Sequence, residues 1–188
     1  IPAGAPNQFL VNITATQQST LNNFAAEHQL TLGQYFPVVR GRLTSINNEQ
    51  LLQEASKEDR SEQRVGVGRE LNLTWLADLP DNNQLLSGAW FSNDSRSEVS
   101  IEQEIAERLQ VKLGDTLAFS IGGQAISAKV SSIRKVDWNS LQPNFYMILS
   151  ADILAEFPAT YINAFYLDSD RQLLLNQLAR LLTTVSVN

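Results

Sequence analysis

The sequence predicts an α+β protein: β-α-β halves at the two chain ends form one split α/β lobe around an inserted, β-rich lobe containing one helix. Three observations predict it. Apolar residues at both ends recur first with a period of two and then with helical spacing. Each terminal half, at about 30 to 45 residues, is too small to bury a stable core alone. The stretch between them reads as short strands joined by turn residues. The predicted lobes are therefore 1–48 with 158–188, a charged connection over 49–68, and an insertion over 69–157.

Taken in order, Phe9, Val11 and Ile13 alternate with Leu10, Asn12 and Thr14, the pattern of a strand. Residues 17–29 follow as a helix, with Leu21, Phe24 and Ala25 at helical spacing. Residues 35–46 form a long strand, on which Arg40 and Arg42 share one face and Val39 and Leu43 the other. At the far end, 161–167 reads as a strand and 168–183 as a helix with Leu174, Leu178, Leu181 and Leu182 on one stripe. A short strand over 184–187 closes the second half.

Between the halves, EASKEDRSEQR at 54–64 carries seven charges in eleven residues and no large apolar side chain, which predicts a solvated loop or frayed helix. Structure resumes at 69–75, and LPDNN at 79–83 is rich in turn formers. Ser100 followed by Gln103 has the spacing of a capping box, so a helix is predicted over 101–110. Gly122-Gly123 joins strands at 117–121 and 125–133 as a tight hairpin, since both turn positions tolerate positive φ. At 132–149 a strand-like run breaks at Asp137, Trp138 and Asn139, and a second run begins at Phe145 after Pro143-Asn144.

Composition excludes several function classes. With 43% hydrophobic and 18% charged residues the chain is a globular sequence. A net charge of -6, from 14 basic and 20 acidic residues, is the wrong balance for nucleic acid or for a polybasic membrane patch. There is no cysteine, which removes disulfides, thiolate metal sites and a cysteine nucleophile while leaving the redox compartment open. No run approaches the roughly 18 apolar residues that span a bilayer, and residues 1–7 lack a signal-peptide pattern. The chain opens on Ile1 and not on Met, which fits a processed protein and an excised fragment alike.

Sites for chemistry are sparse. His28, the single histidine, falls at the end of the first helix, where an imidazole interacts with free carbonyls. A metal site would need a carboxylate cluster, and the sequence shows none. Glu98, Glu102 and Glu104 read as favourable charge near a helix start. VGVGRE at 65–70 lacks the Gly-Lys-Ser/Thr of a phosphate loop, so it reads as a connection. Asn12-Ile-Thr14 and Asn72-Leu-Thr74 match the glycosylation pattern but fall in predicted strands. Arg40 and Arg42 are candidates for bridges to Glu70 or Asp137, or else form a solvated sheet face. Trp138, Phe145 and Tyr146 either close a core or form an aromatic recognition surface. No cofactor motif is present.

Seven segments carry a family resemblance in register: FLVNI (9–13), AEHQL (26–30), FPVVRGRLTSIN (36–47), RELNLTW (69–75), EVSIEQEIAERL (98–109), LGDTLAF (113–119) and IRKVDWNSLQPNFYMIL (133–149). Together they resemble the YbbP-type permeases, the large membrane subunits in the ABC transporter superfamily that also holds MacB, LolC/LolE and FtsX. The likeness is nearest to the second, C-terminal extracytoplasmic domain of such a permease. It implies a periplasmic domain set between two transmembrane helices, with a split porter-like lobe and an inserted sabre-like lobe. It also implies that ATP is hydrolysed by a separate cytoplasmic cassette subunit, that this domain needs no cofactor, and that the partner is a periplasmic lysophospholipase or thioesterase. A non-catalytic domain that transmits motion is the function that follows, with Arg40, Arg42, Arg134, Asp137, Trp138, Asn144 and Phe145 as the candidate lobe junction or partner surface. Two other readings stay open on residues alone: a secreted hydrolase using paired carboxylates on cell-wall sugars, and a free-standing periplasmic binding protein.

Overall fold

The computed structural model of the chain describes residues 4–50 and 70–186. Along it run β1 (Gln8–Ile13), α1 (Ala15–Glu27), β2 (Tyr35–Ile46), β3 (Glu49–Gln50), β4 (Glu70–Leu73), β5 (Asn83–Gly88), β6 (Glu98–Glu102) and α2 (Gln103–Leu109). Then come β7 (Thr116–Ile121), β8 (Gln124–Val136), β9 (Met147–Leu149), α3 (Ala151–Leu154), β10 (Thr160–Phe165), a 3-10 turn (Ser169–Arg171) and α4 (Leu173–Ser186). Strands and helices are mixed without regular alternation, so the fold is of the predicted α+β class.

The chain divides into two compact units, one of Ile1–Pro37, Leu141–Pro143 and Ala159–Asn188, the other of Val38–Ser140 and Asn144–Pro158. The sequence expectation put the first boundary near 48. Val38 onward groups with the inserted segment because the ladder partners of β2 there, β4 and β7, belong to it. Most of the charged connection over 49–68 lies outside the described residues; Glu49 and Gln50 pair with the end of β2.

In the first unit, β1 pairs antiparallel with β10, and α1 and α4 bury Leu21, Phe24 and Leu178 against Ile13, Phe165 and Leu167. The first helix starts where Thr14 can cap it: Thr14 Oγ1 accepts from Gln17 N at 3.2 Å, and Gln17 Oε1 accepts from Thr14 N at 3.0 Å. This reciprocal pair satisfies two donors that a helix start otherwise leaves unbonded. Two asparagines take the place of missing strand neighbours. Asn163 accepts from Gly33 N at 2.9 Å and donates to Gly33 O at 2.8 Å, and Asn7 makes the same double contact with Leu167 at 2.8 and 2.9 Å.

The predicted closing strand over 184–187 is not formed. Residues 184–186 continue α4, and Val187 lies outside the described residues. No Gly or Pro interrupts the run from Leu173 to Val187, so nothing local stops the helix.

The second unit is a sheet that closes on itself. β2 pairs with β7, β7 with β8, β8 with β6 in parallel, and β6 with β9. From β9 the circuit returns through a parallel bridge between Ile148 and Thr74, at the end of β4, and β4 pairs back to β2. Leu149 N donates to Thr74 O at 2.9 Å across that seam. Val39, Leu43, Leu73, Ile101, Leu117, Phe119 and Met147 are buried in this unit. Each is on the buried phase of its strand's alternation or on a strand buried on both faces. The β7–β8 hairpin turns at Gly122 and Gly123 with φ of 56° and 83°, as their side-chain-free backbone allows.

One predicted element shifts. The helix expected over 101–110 starts at Gln103, and Ser100 and Ile101 belong to β6. Ser100 is occupied as a sheet residue opposite Ser132 in β8, and the cap is Glu102, whose Oε1 accepts from Ile105 N at 2.8 Å. Long-range strand pairing has overridden a local helix-start signal.

Candidate partner-binding surface

The strand β8 ends in the corner that the sequence singles out. Asp137 N donates to Asn82 O at 2.9 Å, and Asp137 Oδ1 accepts from Asn139 N at 3.0 Å, a side-chain-closed turn of the kind Asp favours. Asn82 Nδ2 also donates to Asn144 Oδ1, joining both arms of the corner to the loop before β5. Trp138 is 39% exposed, and its ring lies 5.0 Å from that of Tyr146 in a tilted contact. The corner therefore presents one aromatic face beside Asp137 and Asn139, both exposed.

Beneath it lies Arg134, with no exposed surface. Its Nε donates to Ser100 Oγ at 2.8 Å and its Nη1 to Asn83 Oδ1 at 2.5 Å. Its Nη2 donates to the carbonyls of Phe145 and Tyr146 at 2.9 and 3.0 Å and, more weakly, to Ser100 O at 3.3 Å. Ser132 Oγ donates to Ser100 Oγ at 2.7 Å, which extends the network. Burial pulls the guanidinium down to about 10, and Glu102 partly opposes the shift. The charge is thus held by neutral acceptors around a planar donor fork that no ammonium could match. Burial pushes the Tyr146 phenol up, Glu102 and Glu104 add to the shift, and Arg108 opposes it.

The structure sorts the candidate residues into three groups. Asp137, Trp138 and Asn144 come together at the corner, with Trp138 on the surface. Arg134 and Phe145 are interior and offer no side chain to a partner; Phe145 is 4% exposed. Arg40 and Arg42 lie elsewhere, exposed on one face of β2 as the period-two reading requires. Of the two bridges weighed for them, Arg40 makes the one to Glu70, at 3.4 Å between exposed side chains. Among the described residues no ion pair joins either arginine to Asp137.

Sequence reasoning missed Asn82, Asn83 and Ser100 as anchors of the corner. The alternation of β8 does contain a signal for Arg134, which shares phase with the buried Val130, Ser132 and Val136. Among the described residues no three His, Asp or Glu side chains gather as a metal site, and no helix is long and apolar enough to cross a membrane.

Comparison with known proteins places the chain beside a transporter subunit. It is 40% identical over 187 residues to the uncharacterized ABC transporter permease YbbP of Escherichia coli; the match takes in all of this chain and 22% of that protein. The chain thus spans about a fifth of the curated relative's length. No family model matches it. Among solved structures, a domain described as belonging to a permease protein of Porphyromonas gingivalis overlaps 77% of this chain and 66% of its own, with 12% identity and a TM-score of 0.39. A likeness that distant carries no argument about this chain.

Proposed function

We propose that this chain, a relative of the ABC transporter permease YbbP along its whole length, works as a non-catalytic extracytoplasmic domain of such a permease. The observation that carries the proposal is the 40% identity over 187 residues, a match that takes in all of this chain. In this reading the domain corresponds to the second periplasmic domain of the permease, held by flanking transmembrane helices. A separate cytoplasmic subunit hydrolyses ATP. The domain transmits the resulting movement by hinge or shear displacement, and it carries no cofactor of its own. Its exposed corner at Trp138 and the Arg40–Arg42 face of β2 present themselves to a hydrophobic or lipid substrate, or to a periplasmic lysophospholipase or thioesterase.

Two experiments test this. The absence of cysteine makes topology accessible: Asn93→Cys, at an exposed position, in a permease otherwise free of cysteine, reacts in intact cells with a maleimide that cannot cross the inner membrane. Labelling only after lysis of the cells defeats the periplasmic placement. For the surface, Trp138→Ala combined with Arg42→Ala in the full transporter lowers transport or partner binding while the domain stays folded. Unimpaired transport and binding at unchanged stability remove the surface from the reading.

A further inference from the structure

Closing a sheet into a ring removes its edges. In the second unit, β2, β4, β6, β7, β8 and β9 each have a neighbour on both sides, the Thr74–Ile148 bridge included. β5 stands outside that circuit. Among the described residues it is bonded to β8 alone, through pairs such as Gln84 with Lys135 and Ser87 with Ile133, and no described strand pairs with its other edge. Exposed edges that must stay solitary are usually blunted with Lys, Pro or an inward charge. Asn83–Gly88, NQLLSG, has none of these. The one such device it carries is a register shift between Leu85 and Ser87, and Leu86 there is 44% exposed.

An apolar groove runs beside this edge. It has a volume of about 490 Å³ and is walled by Leu86, Ile133, Ala106 and Val111, between the sheet and α2. Two charges stand at its rim. Glu107 is engaged, accepting from Gln103 Nε2 at 3.3 Å. The Lys112 ammonium makes no ion pair among the described residues, although Asp115 Oδ2 accepts from Lys112 N at 2.8 Å, so it is free to meet an acidic group at the mouth of the groove.

We propose that the β5 edge and this groove bind an extended segment of a partner protein by strand addition. The segment's backbone continues the sheet beyond β5, an apolar side chain seats against Leu86, Ile133 and Val111, and an acidic side chain meets Lys112. Backbone bonds to the edge supply affinity, and the groove with its cation supplies selectivity. An acyl chain would fill the groove but has no donors or acceptors for the edge. A strand with an apolar and an acidic residue answers edge, groove and cation together. The residues that meet the segment, Gln84–Gly88 with Ile133, Val111 and Lys112, lie outside the Asp137–Tyr146 stretch, so failure of the strand addition leaves the reading of the corner untouched.

The test uses the isotopically labelled 188-residue chain titrated with a capped synthetic peptide of alternating Val and Thr carrying one Glu. Amide shifts and slowed hydrogen exchange are expected over Gln84–Gly88, with shifts at Ile133 and Val111. Replacing the peptide Glu by Lys, or making Lys112→Glu in the chain, should each weaken binding about tenfold, as loss of one complementary charge pair would. Leu86→Lys, at an exposed position, should abolish binding with thermal stability unchanged. Absence of binding at millimolar peptide, or shifts confined to the Trp138 corner, overturns the proposal. Shifts at Leu86 and Val111 with decanoate but not with peptide would identify an acyl groove instead. A concentration-dependent dimer that Leu86→Lys dissolves would identify self-pairing, and it too overturns the proposal.

Discussion

Arg134 stands opposite Glu102 in the parallel register of β8 and β6, yet its guanidinium turns to the carbonyl of Phe145, 2.9 Å away, and Glu102 turns to cap α2. Two opposite charges that strand pairing brings side by side are spent on separate tasks. One ties down the segment leading into β9, and the other starts a helix. The exposed Trp138–Tyr146 contact is built on both, since Tyr146 O accepts from Arg134 Nη2 and from Glu102 N.

Removing the guanidinium leaves several buried acceptors unbonded. Arg134→Met should lower unfolding free energy by at least about 1–3 kcal/mol, the cost of leaving even one buried acceptor unbonded. Arg134→Lys should not restore it, because one ammonium cannot serve Asn83, Ser100 and Phe145 together. Urea unfolding followed by tryptophan fluorescence gives the number; a loss below about 1 kcal/mol would contradict the role assigned to these bonds.

The two candidate caps of α2 separate by hydrogen exchange. Glu102→Ala should cost about 1–2 kcal/mol and speed exchange at the Ile105 amide. Ser100→Ala should destabilise the sheet through its lost contacts to Ser132 and Arg134 without speeding that amide selectively. Selective fraying of α2 in the Ser100 variant would restore the helix start read from the sequence.

Gly88 and Gly122 both have positive φ, 79° and 56°, but only one has a wall against it. A Cβ on Gly88 would come within 2.1 Å of Ser131 O, whereas one on Gly122 meets nothing within 4 Å. Gly122→Ala should cost about 1–2 kcal/mol, from the left-handed backbone alone. Gly88→Ala should cost clearly more, because backbone must move as well. Equal melting temperatures for the two variants would rule out the close approach at Ser131.

The Tyr146 phenol keeps its proton above the ordinary range, chiefly through burial. An acid whose folded pKa exceeds its unfolded value binds more protons when folded. Its contribution to stability is therefore whole below about pH 10 and is lost as pH rises through the folded value. Arg134, pulled down to about 10, acts in the opposite sense, which makes a difference measurement the right one. The stability of the parent chain relative to Tyr146→Phe should decline as pH is raised past about 10. A difference that stays flat across that interval would show that the phenol is not perturbed.

Local signals were enough where local physics decides. β2 was readable to both of its ends, since an apolar run over 36–39 leads into eight residues, 39–46, whose alternating exposure carries its own period. The β7–β8 hairpin was readable because Gly122 and Gly123 meet the turn's demand for positive φ. The exposed face of β2 was readable for the same reason of period, but the sequence left Glu70, Asp137 and a solvated face open for its arginines, and only the structure pairs Arg40 with Glu70. Trp138 and Asp137 were legible as a corner because a strand cannot run on through that sequence. Arg134 was legible as a neighbour of the corner but not as its hidden anchor, because its acceptors come from Asn83, Ser100, Phe145 and Tyr146 on three separate stretches.

By itself, then, the sequence determined the α+β class and the periods of most strands and helices, which rest on residues near one another in the chain, and a resemblance to a transporter permease, which rests on the order of short segments along it. Only the tertiary structure decided that Ser100 is a sheet residue, that the charge of a buried arginine is held by carbonyls and neutral side chains, and that β5 pairs with β8 alone among the described residues. Those outcomes depend on which distant backbone groups find one another. An unpaired hydrogen-bonding group in the interior costs more than a local preference can return, so the long-range partner prevails.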